Sequence, residues 1–68
     1  MIKEFSAEVI RRINEDVEAK THTLASGSCR SLEEYKDACG QIRGLLYARE
    51  HIEATLRNIE EDDSVWHR

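Results

Sequence analysis

The stretch YKDACGQIRGLLYAREHIEATLRNI, residues 35–59, decides the fold. Tyr35, Ala38, Ile42, Leu45, Arg49, Ile52, Leu56 and Ile59 recur at alternating spacings of three and four. That spacing draws one stripe along one long helix, the pattern of a coiled-coil seam. A helix cannot bury its own seam. The chain must fold back on itself, assemble with copies of itself, or dock on something larger.

Working toward the N-terminus, Ser31 and Glu34 make an S-x-x-E capping box that starts this helix. The small polar segment before it, residues 26–31 with Gly27, reads as a turn. Gly27 supplies the left-handed residue that ends a first helix. That helix is expected over about 6–25, with Ser6 as its N-cap and Phe5 stapled onto Ile10. Ile10, Ile13, Val17 and Leu24 line one face of it, and Glu8 and Arg12 form an i,i+4 pair outside. The second helix is expected over about 32–62 and the tail 63–68 as a flexible end. The turn is short, so the helices are expected to lie antiparallel, with Leu24 facing Tyr35, Val17 facing Ile42 and Ile10 level with Arg49. In that register Leu56 and Ile59 run past the start of the first helix unless Ile2 and Phe5 cover them. The fold class is all-α: an antiparallel two-helix hairpin with a longer C-terminal helix.

With 68 residues the chain holds one domain, and a lone core of that size supplies only about 3–5 kcal/mol. Oligomerisation or docking on a larger protein is the expected staple. The alternative staples are weak. Cys29 and Cys39 are ten residues apart, too far along a helix for a disulfide without unwinding it. His22, His51 and His67 have no metal-ligand spacing with either cysteine. No nucleophile, phosphate loop or paired acid–base motif appears, so no enzyme, cofactor or metal site is expected. Net charge is −4 with both signs interspersed, which argues against nucleic acid as the main partner and against an anionic membrane surface. No run of about 18 apolar residues suggests a span, nor does the N-terminus resemble a signal peptide.

Three features suggest contact beyond the hairpin. Gly40 and Gly44 sit in mid-helix, where each costs about 1 kcal/mol relative to alanine, and Ala48 extends their stripe. A close-approach surface would explain them, as would simple tolerance of glycine. Arg49 interrupts the seam. It can pair with Glu15, Glu8 or a carboxylate on another subunit, or lay its stem on the seam with its head in water. Trp66, the sole tryptophan, reads either as an anchor for a partner or as part of a free terminus.

Leu24-Ala-Ser-Gly, Tyr35-Lys, Cys39-Gly-Gln-Ile-Arg-Gly-Leu and Ala48-Arg together resemble small helical proteins encoded by tailed bacteriophages. The resemblance covers about two-thirds of the chain, in the order short helix, small-residue turn, longer helix. It implies a virion component made in the host bacterial cytoplasm. The stations it implies are the head–tail junction, the portal region or the capsid interior. The partner would be a larger portal, adaptor or capsid protein, copies of the chain itself, or both. The alternatives are a small helical regulator that binds a host enzyme or transcription factor, and an assembly scaffold lost on maturation.

Overall fold

The computed structural model describes residues 1–61. Two helices make up the fold, α1 at Ile2–Ala25 and α2 at Leu32–Glu61. They pack side by side as a hairpin with principal extents of 53 × 17 × 13 Å. The longer helix is α2, with 30 residues against 24.

α1 starts at Ile2, not at Ser6. Ile2-Lys-Glu-Phe5 contains no breaker, and Glu4 suits the positive end of the helix dipole. Met1 caps without a side-chain bond, and the Phe5 N–H reaches its carbonyl at 3.0 Å. Ser6 therefore caps nothing. It is the one buried side chain among the described residues, and its small size lets the helices approach there. Phe5 is 71% exposed, so the expected staple onto Ile10 does not form.

α1 ends in a Schellman motif. The Ser28 N–H donates to the Thr23 carbonyl at 3.4 Å and the Gly27 N–H to Leu24 at 3.2 Å, with Gly27 at φ 76°. Ser31 then caps α2, its hydroxyl accepting the Glu34 N–H at 3.1 Å. Glu34 reaches back to the Arg30 N–H at 2.7 Å, one residue before the N–H that a standard capping box uses. Replacing Gly27 with alanine places a Cβ at a left-handed residue, and replacing Ser31 with alanine strips the cap. Each is expected to cost about 1 kcal/mol in a thermal melt followed by circular dichroism.

Two contacts fix the pairing. Lys3 lies 3.7 Å from Glu60, and the Arg49 Nη1 donates to Asn14 Oδ1 at 2.7 Å. The helices are therefore antiparallel. In both pairs the residue numbers total 63. The expected pairs Leu24/Tyr35, Val17/Ile42 and Ile10/Arg49 total 59, so the observed register is one helical turn away from the expected one. Ala25 comes level with Ala38, and residues 32–37 stand beyond the end of α1. This explains why Tyr35 is 50% exposed and Leu32 66%. The overhang lies at the turn, not at the free end: α1 begins at Ile2, the case in which Leu56 and Ile59 were expected to be covered. Both are half-buried there.

Candidate interaction surfaces

Of the predicted seam, Ile10, Ile13, Val17 and Leu24 on α1 and Ile42, Leu45, Ile52, Leu56 and Ile59 on α2 are half-buried. Tyr35 is not in the seam, because α1 stops short of it. Cys39, Leu46 and Glu53 are also half-buried. They follow a second three–four stripe through Ile42, Arg49 and Leu56, offset from the first, which sequence reasoning passed over. α2 thus presents a broad face to α1. No apolar side chain among the described residues is fully buried.

Arg49 lies in the seam with part of its stem covered and bonds to neutral Asn14, not to Glu8 or Glu15. Those carboxylates are held on the outer side of α1. Glu8 accepts from Arg11 and Arg12, and Glu15 from Arg11. The carboxylate nearest Arg49 is that of Glu53 on its own helix, 3.8 Å from the Arg49 Nε. The cross-helix bond is a polar lock along the edge of the seam. A double-mutant cycle on Arg49→Ala and Asn14→Ala is expected to return a coupling of about 1 kcal/mol in the stability of the hairpin.

Hydrogen bonding from Arg11 lowers the Glu8 carboxyl from an ordinary 4.5 to about 2. A depressed carboxyl stabilises the fold above its unfolded value near 4.5, and that contribution is lost as pH falls through about 2. An NMR titration of the Glu8 side chain is expected to show this midpoint, and Arg11→Ala to return it toward the ordinary value.

Gly40, Gly44 and Ala48 all lie exposed on α2. The two glycines sit diametrically away from the contact line with α1. A Cβ added at either glycine would meet nothing within 4 Å. Within the hairpin, then, no close approach requires them. Tyr47, 57% exposed, lies on the same outer side. Trp66 falls outside the described residues.

At the turn, a shallow groove of about 350 Å³ is lined by Lys20, Thr23, Ser28, Cys29, Ala38 and Gln41, among others. Cys29 and Cys39 are both free thiols. Hydrogen bonding to Cys39 raises the Tyr35 phenol, with the nearby Cys29 a smaller contributor. Among the described residues no cluster of three or more histidine, cysteine or acidic side chains is placed to hold a metal ion. No helix there is long and apolar enough to cross a membrane. The geometry offers ridges and open faces for contact with other helices.

Comparison with family models, with characterised proteins and with solved structures gives no match to this chain.

Proposed function

We propose that this chain is a minor structural or assembly protein of a tailed-bacteriophage particle, acting by helix-mediated contact with a larger portal, adaptor or capsid protein and with copies of itself. The observation that carries the reading is the absence of a closed core: every described apolar side chain keeps some exposure. Full burial of an isoleucine or leucine is worth about 1.5–3 kcal/mol, and the hairpin collects only part of that at each seam position. A partner that covers the rest adds its binding free energy to the stability of the fold. Gly40, Gly44 and Ala48 belong to the segments that resemble phage proteins, and they lie on open surface, where a neighbouring backbone has access. The proposed role is one of contact: the two helices supply a ridge and open faces for other helices to pack on.

Mass spectrometry of purified particles tests the proposal. A structural subunit is expected at fixed stoichiometry in mature particles. Its presence only in immature particles would indicate a scaffold. Its absence from both would overturn the particle reading and favour a regulator of a host protein.

A further inference from the structure

The end of the hairpin opposite the turn carries an apolar patch that the two helices leave open. Phe5 is the most exposed aromatic side chain among the described residues. Phe5 and Thr23 are 18 residues apart, about five full turns, so they share one side of α1. Ile59 and Gln41 share one side of α2 by the same spacing. Thr23 and Gln41 line one groove, so Phe5 and Ile59 flank that same face at its other end. The Lys3–Glu60 contact brings the two level to within about one residue. Ile2 and Val9 continue the Phe5 side, and Ile52 and Leu56 the Ile59 side, with no charged residue among them there. Charge on that side of α1 begins only at Arg12 and Asp16, beyond the patch.

We propose that the segment following Glu61, Asp62-Asp-Ser-Val-Trp-His-Arg68, folds back over this patch and seats Trp66 against Phe5 and Ile59. Chain geometry permits it. α2 ends at Glu61, beside the start of α1. Trp66 follows five residues later, a reach of roughly 17 Å. Phe5 stands roughly 5 Å along the hairpin from that exit and one interhelical spacing, about 8–10 Å, across it. The slack lets the chain reverse. Local chemistry favours a reversal at this point. Glu60, Glu61, Asp62 and Asp63 set four carboxylates against the negative end of the α2 dipole, which disfavours a longer helix. Asp63 and Ser64 then suit a turn. The occupant also matches in kind. Trp66 is the sole tryptophan, and an indole beside the Phe5 ring adds offset or edge-on stacking to the area it buries. A short linker holds it at an effective millimolar concentration, above that of a second copy in micromolar solution. The inference concerns the isolated chain and does not rest on the particle reading.

Tryptophan fluorescence of the full chain tests it, because the signal comes from Trp66 alone. The emission is expected to be blue-shifted from that of N-acetyltryptophanamide, shielded from acrylamide, and unchanged on dilution from millimolar to submicromolar concentration. Phe5→Ser is expected to return emission and quenching to the values of the free indole. Circular dichroism should keep its helical spectrum in that variant, since Phe5 is exposed within the hairpin itself. Tyr47→Ser, on the outer side of α2, is expected to leave both fluorescence readouts unchanged. Nuclear Overhauser spectra of the unaltered chain add a readout that needs no variant: the Trp66 indole is expected to contact the Phe5 ring within one molecule. Emission of a free indole overturns the inference. So does a blue shift that survives Phe5→Ser, and so does one that disappears on dilution, which would assign the patch to a second copy.

Discussion

Replacing Ile42 with aspartate removes the cooperative thermal transition of the chain. Ile42 lies at the centre of the face that α2 turns to α1, where both of its three–four stripes intersect. Truncating a fully buried isoleucine costs about 2–5 kcal/mol. Ile42 is half-buried, so the lower end of that range applies. A carboxylate facing α1 adds a desolvation cost of its own. The sum is about 3 kcal/mol, similar to the whole stability of a domain this small. Circular dichroism is expected to show a sloping, non-cooperative loss of helix. The control is Tyr47→Asp on the outer side of α2, where the residue is 57% exposed. That change loses only helix propensity, within about 1 kcal/mol, and should keep a clear melt.

The double variant Gly40→Ala/Gly44→Ala moves stability the other way. Each glycine sits in the interior of α2, and neither added methyl meets an atom within 4 Å. Each alanine removes the backbone-entropy penalty of glycine, about 1 kcal/mol. Together they are expected to raise the melting temperature by about 8–15 °C for a domain of this size. The same variant probes why the glycines are there. If a larger partner brings its backbone against this edge, two methyls weaken that binding while they stabilise the hairpin. Opposite signs in a melt and in co-purification would assign the glycines to the partner. Equal binding would assign them to simple tolerance within α2.

The two helices, the turn at Gly27 and the cap at Ser31 were legible because each depends on local chemistry that the sequence displays. The start of α1 was not. Ser6 has the side chain of an N-cap, but four helix-compatible residues precede it, and packing against α2 favours extending the helix. Register was illegible for a different reason. A three–four stripe repeats itself every turn or so, and a seam slid by one turn places apolar residues against apolar residues again. Polar groups and the turn break that degeneracy. Arg49 bonds to Asn14 only in the observed register, Lys3 reaches Glu60, and the chain from Gly27 to Ser31 carries α2 beyond the end of α1 before it turns back. Arg49 was recognised as an interruption of the seam. Its partner was missed because charge alone pointed to Glu8 and Glu15, and Arg11 already occupies both. The open Gly40/Gly44 edge was legible from spacing alone, since helix geometry fixes which side of α2 it occupies.

Isotope-filtered nuclear Overhauser spectra of a mixed labelled and unlabelled sample test the central claim most directly. The account predicts contacts within one molecule between Val17 and Leu46 and between Ile2 and Ile59, with the Tyr35 ring free of α1. A Tyr35 ring packed on Leu24 with Ile59 away from Ile2, or α1–α2 contacts found only between different chains, would contradict it.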